Sequence, residues 1–182
     1  MTGEKNRFKT TEKLWDLDDK QLKTPKHDAM VLWLMDKENI AKYNLFEKSI
    51  MCETRVRIGE YKKLPYTLVG YDVDSEVPIM SSKTFIAGYA DLIVKPIYTY
   101  KHKGKTHHTY LRYALIEVKP YIDSFGAVLR QIKSYKRFSH YDTYILFTLD
   151  SRFDTQFESQ GVKVIHPPEN ITIEKMMEQY GL

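Results

Sequence analysis

Cysteine is all but missing from this sequence: Cys52 stands alone among 182 residues. No disulfide can close within the chain, and one cysteine cannot hold an iron–sulfur cluster, which takes four. Long apolar runs are missing as well. The longest, Ala29-Met-Val-Leu-Trp-Leu-Met35, falls far short of the roughly 20 residues a helix needs to span a bilayer, so no membrane role is expected. The opening Met1-Thr-Gly-Glu-Lys-Asn-Arg-Phe-Lys has no apolar signal-peptide core, and the expected setting is cytoplasmic or otherwise intracellular. Glycines are few and dispersed; none forms a phosphate-cradling loop, which argues against an NTP-driven motor.

Acidic residues are missing from one stretch in particular. Between Lys95 and Arg112 there are five Lys or Arg and no carboxylate, interleaved with tyrosines and three histidines. With a formal net charge of +4, this distribution points to a polyanionic partner more than the total does. Lys101, Lys103 and Lys105 are the expected phosphate contacts. Arg130, Lys133, Lys136 and Arg137 form a second basic cluster on a predicted helix.

What is present is one ordinary core's worth of apolar residues, 42% of the chain, which suggests a single domain over residues 1–182. Residues 1–24 read as an N-terminal extension. Thr24-Pro25 followed by Ala29, Leu32 and Trp33 predicts a capped helix over about 25–38. Residues 39–74 read as an elaboration on a smaller core, strand-like around Thr54-Arg-Val-Arg-Ile58 and loop-like around Pro65. Three antiparallel strands are then expected, at 76–80, 85–94 and 110–119, with a hairpin tip at Lys103-Gly104-Lys105. Pro120 stops the third. Asp123 or Ser124 can cap a helix to about Phe138 with Phe125, Val128, Leu129 and Ile132 on its apolar face. A strand at 144–149, a short helix at 151–160, a strand at 161–165 and a helix at 173–180 complete an α/β (α+β) chain with a mixed sheet of about five strands flanked by helices.

Within Leu115-Ile-Glu-Val-Lys-Pro120, Glu117 and Lys119 share one face of a strand, and Asp91 sits among apolar neighbours in Gly88-Tyr-Ala-Asp-Leu-Ile-Val94. Two carboxylates and an ammonium in core-like segments are costly unless they pair or bind a metal. A hard cation such as Mg²⁺ or Mn²⁺ prefers oxygen ligands, which Asp91, Glu117 and the backbone carbonyl of Val118 could supply. Lys119 would orient a water or stabilise charge on a phosphorane-like transition state. The implied reaction is phosphodiester hydrolysis. An ion pair on a solvated sheet face is the plainer alternative.

Asp91, then Glu117-Val-Lys119, then a helix, resembles the PD-(D/E)XK nuclease superfamily, whose core is restriction-endonuclease-like. Gln131-Ile-Lys-Ser-Tyr135 is similar to the Q-x-x-x-Y motif of its RecB-like branch, and the Glu117 segment with the Gln131 helix also looks like the endonuclease subunit of Tn7-type transposases. The resemblance implies that Gln131 and Tyr135 position substrate or water. It implies that His27, with Asp28 as the alternative, joins the metal site, and that Glu76 matches an acidic residue at the start of the sheet. The expected activity is Mg²⁺- or Mn²⁺-dependent hydrolysis of DNA, single-stranded, duplex or branched. Some relatives act as dimers, so a homodimer stays open; the composition is compatible with a thermophilic or viral source, and a virus- or mobile-element-encoded protein is an open alternative. The alternative is a non-catalytic nucleic-acid-binding or assembly module on the same fold.

Overall fold

A computed structural model describes residues 24–182, so the expected N-terminal extension lies outside the described residues apart from Thr24. The first helix, α1 (Pro25–Met35), starts as the sequence predicts: the Thr24 hydroxyl accepts the His27 N–H and Pro25 occupies the first turn. It ends sooner than expected, because Asp36 leaves the helical conformation and caps a second helix, α2 (Lys37–Lys42), by accepting the Glu38 N–H.

The sheet has seven strands rather than about five, and the difference lies mostly in residues 39–74. β1 (Ser49–Arg57) and β2 (Glu60–Met80) form a hairpin, and β2 continues unbroken into the core. Pro65 is therefore a strand residue, not a loop residue. It pairs with Met51 in a stretch where β2 has β1 on one side and no β3 residue on the other, so its missing N–H is tolerated. β3 (Ile86–His102) also overruns its expected end. The predicted third strand splits in two. β4 (Lys105–Tyr110) closes a hairpin on β3 through Lys103 and Gly104, both with positive φ, and β5 (Ala114–Lys119) follows a break where Arg112 turns to φ 61°.

Helix α3 (Phe125–Phe138), capped by Ser124, crosses from β5 to β6 (Thr143–Thr148), which lies parallel to β5. Helix α4 (Asp154–Ser159) leads to the short parallel strand β7 (Lys163–Ile165), and α5 (Ile173–Tyr180) closes the chain. The order is β1-β2-β3-β5-β6-β7, with β4 on β3, a mixed sheet in an α+β chain. Among the described residues no helix is long and apolar enough to cross a membrane.

Two apolar clusters cover the sheet. Ala29, Met30, Trp33 and Leu34 of α1 pack with Met176 of α5 on Ile116, Val118 and Phe147, and Trp33 stacks on Phe147 at 6.0 Å. On the other face Val128, Ile132 and Tyr135 of α3 pack on Ile93, Leu115 and Leu146. The β2–β3 pair does not keep its faces. Tyr71 and Val73 pack on the α1 side, yet Val77 and Ile79 pack on the α3 side, and Leu92 and Ala90 divide in the same way. Ser75 pairs Leu92 and Val77 pairs Ala90, which leaves Glu76, at φ 50°, facing Asp91 at the crossover. A left-handed glutamate inside a strand is strained, and here that conformation reverses which side of the ribbon each residue presents.

Candidate active site

β5 is the central strand between β3 and β6, and all six of its residues are buried, Glu117 and Lys119 included at 1% and 3% exposure. Lys119 Nζ lies 2.8 Å from Glu117 Oε1. The spacing of two along β5 places both on the α3 side, where the helix answers them. Gln131 Nε2 donates to Glu117 Oε1 at 2.7 Å and to the Tyr135 hydroxyl at 2.8 Å, and Tyr135 in turn donates to the Tyr89 carbonyl at 2.7 Å. Glu117 Oε2 is buried with no hydrogen-bond partner.

Asp91 reaches the same region sideways. The β3–β5 ladder ends at the pair Leu92–Ile116, and beyond it Asp91 Oδ2 accepts the Val118 N–H at 2.7 Å, replacing the next ladder bond with a side chain. The N–H and C=O of a strand residue point to the same neighbour, so the Val118 carbonyl also opens toward β3. From the first turn of α1, His27 Nε2 lies 3.3 Å from Asp91 Oδ1, and Asp28 Oδ1 sits 3.1 Å from His27 Nδ1. His27 faces Asp91, and Asp28, half-exposed, holds the far side of the imidazole.

The electrostatics follow from this packing. Burial, reinforced by the Asp91 charge, pushes the Glu117 carboxyl up to about 7 against the pull of Lys119. Burial opposes the Lys119 ammonium, but Glu117 and Asp91 outweigh it and hold its pKa above the ordinary lysine value. Burial likewise opposes a charged His27, and the Asp91 carboxylate, helped by Asp28, more than compensates. Burial raises the Tyr135 phenol far enough to keep it a hydrogen-bond donor.

No protein-family model matches the chain, and no curated protein or solved structure matches it either. Geometry and chemistry therefore carry the functional reading. Among the described residues no three His, Cys, Asp or Glu side chains are gathered closely enough to cage a metal ion. The donors nonetheless fit a hard divalent cation in kind: a buried carboxylate oxygen without a partner, a second carboxylate whose charge acts on it, and a backbone carbonyl on the β3 side of β5.

The other expected residues are spread more widely. Glu76 is exposed, and no hydrogen bond or ion pair joins it to Glu117 or Lys119. Lys133 donates to Gln160 and Lys136 to the Gly161 carbonyl, so both serve the turn after α4; Arg137 lies over the Phe138 ring, and Arg130 is exposed. Lys101 and Lys105 are exposed strand residues flanking the turn at Lys103, well along the sheet from Asp91.

Two supports escaped the sequence reading. A Cβ on Gly88 would stand 2.9 Å from Tyr135 Cε1, so this glycine admits the ring; a glycine inside a strand was the available signal. Asp150, just past β6, accepts from the Ile122 N–H and is gripped by Arg152, whose Nη2 also donates to the Ile122 carbonyl. This latch fixes the turn that leaves Lys119, and no spacing in the sequence announces it.

Proposed function

We propose that the chain is a metal-dependent nuclease with a restriction-endonuclease-like core, hydrolysing phosphodiester bonds of DNA in the manner of RecB-like PD-(D/E)XK enzymes. The observation that carries this reading is the partnerless Oε2 of Glu117, buried beside Lys119 where β3 and β5 part. A buried carboxylate with an unsatisfied oxygen is costly, and a cation offsets that cost. Asp91, Glu117 and the Val118 carbonyl would hold Mg²⁺ or Mn²⁺, with His27 beside Asp91. When bound, the ion supplies Lewis-acid charge to the phosphate and its attacking water.

The remaining work falls to protein groups. Lys119 keeps its proton and lies on the Glu117 carboxylate, placed to steady the water or the charge that builds on the phosphoryl oxygens. Gln131 fixes Glu117 from the helix side, and Tyr135 fixes Gln131 by anchoring to Tyr89. His27, held by Asp28, orients Asp91.

The test is cleavage of single-stranded, duplex and branched DNA with Mg²⁺, Mn²⁺ or EDTA, comparing wild type with Lys119→Ala and Glu117→Ala. Cleavage that needs the cation and falls at least about a hundredfold in both variants is expected. Activity that survives EDTA and both substitutions removes the proposal. Binding without cleavage under every condition would support the non-catalytic module instead.

A further inference from the structure

The hairpin segment that the sequence left as an elaboration builds an arm with two unlike faces. On one face Tyr66, Tyr100 and His107 stack across β2, β3 and β4, with ring centroids 4.5 and 4.9 Å apart, over a small core containing Ile50 and Tyr98. This core keeps the arm folded although β1 and β4 find their packing partners almost wholly within the sheet.

The opposite face is open. Register places Arg55 opposite Tyr61, Glu53 opposite Lys63 and Lys101 opposite Thr106, and all six are exposed. Three cations therefore share this face with one carboxylate. Among the described residues, Arg55, Lys63 and Lys101 have no ion-pair partner, whereas elsewhere on the sheet Lys95 is paired with Asp74 and Arg112 with Glu47. Unpaired cations in adjacent strands, with the exposed Tyr61 opposite Arg55, complement a phosphate backbone.

The position of this face singles out nucleic acid. The irregularity opposite Tyr98 and Ile97 falls on β2, at Val69, and β3 itself skips no residue from Leu92 to Thr99, so the side of the sheet carrying Thr99 and Lys101 is the side of Ile93, where Glu117 and Lys119 also project. From Asp91 to His102 the strand covers twelve residues, eleven steps. That is at most roughly 36 Å, about one turn of B-form duplex. We infer that the exposed face of the β1–β4 arm, centred on Arg55, Lys63 and Lys101, is a second binding surface for the backbone of duplex DNA. The DNA leads from this surface to the site beside Glu117. The path to Glu117 rests on the nuclease reading; the binding surface itself does not.

The test measures binding of a fluorescent duplex of about 30 base pairs, some three turns, to the full chain in EDTA across a salt series. The Arg55→Glu/Lys63→Glu double variant and Lys101→Glu should each weaken binding at least about tenfold. Together they should lower the steepness of log affinity against log salt by about 2.7, at about 0.9 for each of three lost phosphate contacts. Lys175→Glu, an exposed change on α5, should leave binding as it was. The neutral Arg55→Gln/Lys63→Gln pair should give a smaller loss in the same direction, which separates lost contacts from misfolding. Unchanged binding in the arm variants overturns the inference. So does a wild-type chain that ignores the duplex but binds phosphatidylcholine vesicles containing phosphatidylserine through the same residues. Arm-dependent binding in EDTA, with no cleavage of the same duplex once Mg²⁺ or Mn²⁺ is supplied, would remove the nuclease reading alone. Cleavage with arm-independent binding would remove the arm alone.

Discussion

Glu117 holds two unequal oxygens: Oε1 receives Lys119 and Gln131, while Oε2, equally buried, receives nothing. In the metal-free protein this makes ionisation unfavourable, and the consequence for stability has a definite sign. The carboxyl titrates near 4.5 when unfolded and near 7 when folded, so between those values the native state binds more protons. Stability should therefore fall as pH rises through this window, and Glu117→Gln should flatten that part of the curve. Urea unfolding in EDTA at pH 5 and pH 8 measures it; an unchanged slope in the variant would count against the buried charge. Gly88 gives a second prediction at this scale. Gly88→Ala drives a methyl into the Tyr135 ring, and overpacking of this kind should cost about 1–3 kcal/mol by urea unfolding, with the Gln131 and Glu117 bonds disturbed together. The spacing of Glu117 with Lys119, and of Gln131 with Tyr135, was legible in the sequence because strand and helix periods put each pair on one face. The carbonyl of Tyr89 as the anchor was not, since backbone acceptors have no side-chain signature.

Among the elements, the turn from β5 to α3 and the arm behave differently. Asp150 is held below the ordinary aspartate range by Arg152 and by backbone N–H groups. Its contribution to stability is present above pH 4 and is lost as pH falls through the depressed folded value. Asp150→Ala should cost about 1–3 kcal/mol and steepen neither limb above pH 5, because the carboxylate is ionised in both states there. The arm has its own small core around Tyr66 and Tyr98, apart from the two clusters that cover the sheet. Tyr66→Ala should speed amide exchange in β1 and the outer half of β2 while β5 and β6 stay protected. Uniform loss of protection would show that the arm and the main sheet unfold together. The arm was hidden from the sequence for a physical reason. Pro65 reads as a loop former until one sees that β2 lacks a β3 neighbour there, and the break at Arg112 depends on a left-handed arginine that composition does not reveal.

Taken whole, the molecule gathers its candidate site where strands part. The parallel β5–β6 pair and the antiparallel β2–β3–β5 run were both readable from the order of apolar segments; α1 and α3 cover opposite faces, α1 through Ala29, Met30, Trp33 and Leu34, while the expected Leu32 is exposed. The crossover at Glu76 was not readable, because it arises from one strained φ and from the pairing of two long strands. It leaves Asp91 at the end of the β3–β5 ladder, within reach of Val118 from the side and of His27 from above the opposite face. The central claim is that this junction holds a cation and cleaves DNA. It is tested most directly by the single-turnover rate of DNA cleavage at saturating Mn²⁺ for wild type and Glu117→Gln. A wild-type rate abolished by EDTA, and at least about a hundredfold slower in the variant, is predicted. Equal rates in the two proteins, or no cleavage by wild type on any DNA, would contradict it.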